Sequence, residues 1–244
     1  MRWIRADLHI HSVLSPCGGL EMSPGDLIKR LKEYKIEWFA ITDHNSMANC
    51  PAYAAAAAKA GMAFSWGVEI QTSEEIHLLA YFDDPAKAQV FDNELYSSML
   101  PLPNDPDFFG DQVVIDENEN ILRVEQLALM NSSTWDLNTA VDMVEAYGGL
   151  AVPAHVDATV NSILSQLGFM PDQPEFQLFG ITALLDAEKW RREQPYFSGR
   201  ALLRASDAHY LTDVGSGYSE LYLEEASVAE LKMAARQISG RTMR

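Results

Sequence analysis

Apolar positions along this chain follow two alternating rhythms. Short, nearly continuous apolar runs of strand length are separated by segments whose apolar residues recur every three or four positions. The runs predict strands at 6–11, 38–43, 64–70, 76–82, 150–155, 179–185, 201–206 and 220–223. Between them the helical rhythm predicts a helix from about 24 to 34, with Ser23 as N-cap and Pro24 at the first helical position. Further helices are expected at 52–60, 86–98, 137–147, 187–193 and 227–237.

Strand and helix in alternation are the pattern of an α/β fold with a mainly parallel sheet. Seven or eight such units within 244 residues suit a closed, irregular barrel better than an open doubly wound sheet. No Gly-x-Gly-x-x-Gly follows the first strand, which argues against dinucleotide binding. The expected organisation is one barrel domain over 1–244 with an acidic surface insertion at about 99–132. Pro101, Pro103 and Pro106 interrupt the rhythm there, and residues 99–126 hold seven acids against the single base Arg123. Such a stretch is expected to be a solvated loop over one end of the barrel.

Composition narrows the class. Apolar residues at 48% and charged residues at 22% exclude disorder and disulfide-stapled mini-folds. No apolar run approaches the roughly 18 to 20 residues of a membrane span, and the first residues lack a signal-peptide core, so a cytoplasmic location is expected. Cys17 and Cys50 cannot form a framework of bridges and are read as thiols. With 18 Lys plus Arg against 35 Asp plus Glu, the formal charge is −17, which disfavours a nucleic acid polymer as partner. A small phosphorylated substrate is the expected partner, provided bound cations reverse the local field.

The six histidines show where such cations could sit. His9 and His11 close the first predicted strand, His44 follows the second, and His77 lies in the fourth. His155 ends the fifth and His209 follows the seventh, beside Asp207. In an α/β barrel the strand ends converge on one rim, so these residues would meet although they are far apart in sequence. Spacing by two places His9 and His11 on one face of a strand, and Asp207 with His209 repeats the device. Glu69, at the end of the third strand, can bridge two ions with its two oxygens. Asp7 shares the parity of His9 and His11 and could orient one of them through the ring nitrogen facing away from an ion, while Asp43, of opposite parity to His44, is a supporting candidate only. Cys17, in the loop leading off the first strand, is a candidate thiolate ligand.

In order and spacing, several motifs resemble the polymerase and histidinol phosphatase (PHP) family. They are Asp7-Leu8-His9-Ile10-His11-Ser12, Ile41-Thr42-Asp43-His44-Asn45-Ser46, Gly67-Val68-Glu69, Glu75-Ile76-His77, Pro153-Ala154-His155 and Ser206-Asp207-Ala208-His209. The resemblance extends from residue 7 to about 215. It implies a distorted seven-stranded TIM-like (β/α) barrel, holding two or three divalent ions such as Mn²⁺, Fe²⁺ or Zn²⁺, that hydrolyses phosphate esters with a metal-activated water. Carried over, it assigns one ion to His9, His11, Glu69 and Asp207, and a second to Glu69, His77 and His155. A third would fall to His44, His209 and the residue at position 17. Many members have His or Asp at that position, where this chain has Cys17. Relatives often place a base shortly after the fifth-strand histidine, but His155-Val156-Asp157-Ala158 has none. Arg204 is the nearest base, and its parity, opposite to that of Asp207, favours an ion pair over a phosphate clamp.

Two alternatives fit the same histidines. An amidohydrolase-type barrel also carries His-x-His on its first strand, but commonly uses a strand-end lysine, and all seven lysines here fall in predicted helices or adjoining turns. A non-catalytic metal-binding module would be expected to have lost ligands, whereas eight of the nine positions hold the usual residue types.

Overall fold

A computed structural model describes all residues, 1–244. A seven-stranded sheet curls into a half-barrel, with helices packed on its outer face. The chain runs β1 (Arg2–Asp7), α1 (Pro24–Glu33), β2 (Trp38–Ile41), α2 (Cys50–Ala60), β3 (Ala63–Gln71), β4 (His77–Phe82) and α3 (Pro85–Ser98). The insertion adds α4 (Pro106–Phe109), β5 (Val113–Ile115) and β6 (Ile121–Val124). Next come α5 (Leu137–Ala146), β7 (Leu150–Pro153), α6 (Ile163–Leu167), β8 (Leu178–Ile181), α7 (Ala187–Glu193) and β9 (Ala201–Arg204). The last elements are β10 (Ser219–Leu223), α8 (Val228–Ala235) and β11 (Thr242–Met243). No helix is long and apolar enough to cross a membrane.

The main sheet has the order β11-β10-β1-β2-β3-β4-β7, while β8 and β9 pair separately. It is mixed rather than mainly parallel: β1, β2 and β3 are parallel, but β4 runs antiparallel to both β3 and β7, and β10 antiparallel to β1. The reason is local. Only residues 72–76 separate β3 from β4, and a parallel crossover needs a dozen residues or more. The reversal brings the start of β4, with His77, to the same rim as the ends of its neighbours. In register, His77 lies opposite Gln71.

Strand alternation sorts the side chains. Ile4, Ala6, Trp38, Ala40, Leu79, Tyr81, Val152, Leu178 and Leu203 fill the barrel interior, closed from below by Val228, Leu231 and Ala234 of α8. Phe39, Ile41, Val68, Ile70, Ala80 and Phe82 face outward against Leu27 and Leu31 of α1, Tyr53 of α2 and Phe91 of α3. Val68 and Ile70 look outward, so Glu69 between them looks inward at the rim.

The insertion is not a plain solvated loop. Val113, Val114 and Ile115 are buried, the amide of Val113 donates to the carbonyl of Val13 (3.1 Å), and Asn49 clamps the strand through Val113 and Ile115. Its Glu119 also replaces the expected Ser23 cap, accepting from the Ser23 hydroxyl and the Gly25 amide (both 3.0 Å) at the start of α1.

Candidate metal centre

The first strand ends at Asp7, short of the expected boundary, so His9 and His11 occupy the segment beyond it. A single parallel bridge between Ile10 and Ala208 pins that segment beside the residues following β9. His9 and His11 still converge, their Nε2 atoms 3.2 Å apart. Two of the residues that present the site, His155 (φ 26°) and Asp207 (φ 53°), have left-handed backbones, a strain that tends to concentrate at functional sites. Gly180 permits one of these turns. A Cβ there would lie 3.1 Å from the Pro153 carbonyl and 3.2 Å from the His155 amide, just where Val156 donates to the Gly180 carbonyl (2.9 Å).

Glu69 is the hub, almost fully buried. Its Oε1 lies 3.0 Å from His77 Nδ1, 3.2 Å from His155 Nε2 and 3.3 Å from His9 Nε2. Its Oε2 lies 3.2 Å from His44 Nδ1 and 3.3 Å from His11 Nε2. Asp207 Oδ1 faces His9 and His11 from the other side, at 3.1 and 3.3 Å. His209 stacks on His11 with ring centroids 4.1 Å apart. Donor atoms converge in three groups able to hold a cation: His9, His11 and Glu69; His44, Glu69 and His77; and His11, His44 and His209. Cys17 belongs to none of these, although its Sγ lies 3.4 Å from His44 Nε2.

A cation fits this arrangement. The Nδ1 atoms of His44 and His77, both facing Glu69, and Asp207 Oδ1 are buried without a hydrogen-bond partner, a costly condition that cations bound at this centre would relieve. The electrostatics agree. Burial by itself pushes His11 down, but Asp207 and Glu69 outweigh it and raise the imidazole to about 10. Against burial, the surrounding imidazoles hold Glu69 well below the usual carboxylate range. Burial pushes His44 well down and, with His11 beside it, takes His209 down to about 4. Burial and the Glu69 charge push the Cys17 thiol up to about 12, so it would ionise only beside a cation.

Supporting groups fix the imidazoles. Ser15 spends its one hydroxyl proton on Asp43 Oδ1 (2.7 Å), so its oxygen accepts from His11 Nδ1 (2.8 Å) and leaves His11 Nε2 free towards Glu69. Asp43, which also accepts from the amide (2.7 Å) and hydroxyl (2.6 Å) of Ser12, thus acts on His11 through Ser15. The Asp207 carbonyl accepts from His209 Nδ1 (2.8 Å), with the same effect on that ring. Asp7 touches no imidazole. Its Oδ1 accepts from the Ser206 amide (3.0 Å), tying β1 to the segment after β9. Gln71 and Asn161 flank His77 Nε2 at 3.4 and 2.8 Å. These two and Ser15 escaped the sequence reading; only the inward parity of Gln71, two residues beyond Glu69, hinted at one of them.

Arg204 is placed differently from either expectation. It shares the outward parity of Leu202, and its guanidinium donates to the carbonyls of Thr182 (3.0 Å), Ala183 (2.6 Å) and Leu185 (2.8 Å), with no carboxylate partner. The rim segments 8–23, 42–49, 72–76, 154–162, 182–186 and 205–218 contain no Lys or Arg at all.

Comparison with known proteins settles the family. The model of the PHP domain matches residues 7–137, more than half of the chain. The chain belongs to the PHP domain family. DNA polymerase III PolC-type from Lacticaseibacillus paracasei is 36% identical over 97 residues, which are 37% of this chain and 7% of the polymerase. The lesion-specific endonuclease Q of Pyrococcus furiosus superposes on 99% of this chain and 57% of its own, with a TM-score of 0.74 at 15% identity. An endonuclease Q complex with a 27-mer duplex carrying an abasic lesion gives a TM-score of 0.75 at 15% identity, over 98% of this chain and 58% of that one. A Bifidobacterium adolescentis protein assigned as a metal-dependent phosphoesterase matches at a TM-score of 0.57 and 16% identity, over 84% and 87% of the two chains. This chain therefore spans a small fraction of the polymerase and somewhat over half of the endonuclease.

These comparisons support hydrolase chemistry and correct one expectation. The net charge of −17 disfavours a nucleic acid partner, yet the similar proteins include a DNA polymerase and an endonuclease bound to its duplex substrate. Net charge averages over the whole surface, whereas recognition depends on the field at one face.

Proposed function

We propose that this chain is a metal-dependent phosphoesterase whose substrate is a phosphodiester of a nucleic acid strand. The observation that carries the hydrolytic part is the ring of six imidazoles, five of them buried, around Glu69 and Asp207, with its unpartnered polar atoms. The substrate class rests on the correspondence of nearly the whole chain with endonuclease Q.

His9, His11, Glu69 and Asp207 would hold one cation, Glu69, His77 and His155 a second, and His44 and His209 with Cys17 a third. Mixed imidazole and carboxylate donors suit Mn²⁺, Fe²⁺ or Zn²⁺. Such ions would polarise the phosphoryl group and activate water near neutral pH. The protein supplies the rest. The rim offers no basic side chain, so it leaves phosphate neutralisation to what Glu69 and its imidazoles bind. Ser15 and the Asp207 carbonyl hold the rings of His11 and His209 with Nε2 inward, which removes the reorganisation cost of assembling the donors. Exposed apolar side chains stand in the same rim segments, Leu20 at 61%, Val160 at 67%, Leu184 at 90% and Tyr210 at 49% exposure. Aromatic and aliphatic faces of this kind suit contact with bases rather than phosphates.

The test is cleavage of labelled oligonucleotides, single-stranded and abasic duplex, with added Mn²⁺. Cleavage is expected, with loss in EDTA and in Glu69→Gln. Turnover of an aryl phosphodiester without cleavage of any oligonucleotide would overturn the substrate class while leaving the hydrolase. Turnover of neither would overturn both.

A further inference from the structure

A second polar feature lies on the outer side of β9. A cleft of about 590 Å³ opens among α7, β9, the end of α8 and β11, and five arginines line it: Arg191, Arg200, Arg204, Arg236 and Arg244. The chain has eleven arginines and a net charge of −17, so nearly half of its guanidinium groups collect in one cleft of an acidic protein. Glu188 is the only acid lining it, and its side chain is 82% exposed. Glu220 neutralises Arg244 from outside at 2.8 Å.

Of the others, only Arg191 has a carboxylate near it, the exposed Glu188 one helical turn away at 3.6 Å. Arg204 is held by three backbone carbonyls. Arg200 donates from Nε to the Tyr196 carbonyl (2.7 Å) and lies 4.2 Å over the Tyr196 ring, which leaves both Nη groups unengaged. Arg191 donates from Nη2 to the Arg200 carbonyl (2.8 Å), while its Nε is buried without any partner. Arg236 is exposed and engages neither a carboxylate nor a carbonyl. Five guanidinium groups with only two carboxylates beside them, Glu188 and Glu220, leave Arg200, Arg204 and Arg236 without a counter-charge, an arrangement that favours an incoming anion. A fork of fixed N–H donors matches the oxygens of phosphate in particular.

We propose that this cleft binds a phosphate-bearing anion, either a free polyphosphate or the phosphodiester backbone of a strand. The site is separate from the metal centre and does not depend on its chemistry. Calorimetric titration of the full chain with inorganic pyrophosphate and with a ten-nucleotide oligothymidylate at low salt tests it, repeated in EDTA to silence binding through metal ions. Saturable binding that persists in EDTA is expected, weakened at least tenfold in Arg200→Ala/Arg236→Ala. The single variant Arg236→Glu removes an exposed, unpartnered side chain, so its melting curve should match the wild type while its affinity falls. Binding of pyrophosphate alone would assign a free polyphosphate, and binding of the oligonucleotide alone a strand; either supports the cleft. No binding in EDTA, or equal binding by wild type and both variants, would overturn it.

Discussion

Ser15 is the residue through which the account of the metal centre can be probed without touching a ligand. Its hydroxyl joins Asp43 to His11 by bonds of 2.7 and 2.8 Å, and all three side chains are fully buried. Ser15→Ala removes both bonds and leaves His11 Nδ1 and one Asp43 lone pair unpaired. Two hydrogen bonds at about 1 kcal/mol each, plus about 1–3 kcal/mol for a buried polar group left alone, give a loss of roughly 3–5 kcal/mol. For a domain of this size that is a fall of about 6–20 °C in Tm. The free ring can also rotate or change tautomer, so Mn²⁺ affinity should drop about 10- to 100-fold. Calorimetric melts and Mn²⁺ titrations of wild type and variant read the two effects separately. A Ser15→Ala chain within about 0.5 kcal/mol of wild type, with unchanged Mn²⁺ affinity, would refute the relay.

Three further outcomes follow from the same geometry. Glu69→Gln keeps the shape but removes the charge shared by five imidazoles, so cleavage should fall about 200- to 5,000-fold, the equivalent of the 3–5 kcal/mol lost when a buried charge pair is broken. Undiminished cleavage would exclude Glu69 from the site. Cys17→Ser should lower bound metal by no more than one ion per chain, read by elemental analysis, because Cys17 approaches only His44; loss of all metal would contradict that placement. Burial raises the Asp92 carboxyl from 3.8 to about 6, with the Met47 amide bond opposing. Its protonated form is favoured by folding, so its contribution is full below pH 3.8 and lost as pH rises through about 6. Unfolding free energies should therefore fall by roughly 2 kcal/mol more between pH 4 and 7 in wild type than in Asp92→Asn; parallel curves would show the opposite.

The convergence of these side chains was legible in the sequence because imidazoles and carboxylates placed where strands end meet on one rim. His9, His11, His44, His155, Glu69, Asp207 and His209 do come together there, and periodicity located eight strands and the longer helices. Strand direction was not read, although the five residues between Gln71 and His77 already forbade a parallel crossover. The supports were harder to see. Ser15, Gln71 and Asn161 are ordinary polar residues whose role exists only once distant segments meet, and the outward turn of Arg204 depends on carbonyls beyond β8. Charge misled because a sum over 244 residues conceals both a rim without cations and a cleft lined with arginines.

The most direct measurement is metal content by elemental mass spectrometry on protein purified without chelators. The account predicts two to three transition-metal ions per chain, with a marked loss in Glu69→Gln. Only trace metal in the wild-type chain would contradict it, and the histidine ring would then need another explanation.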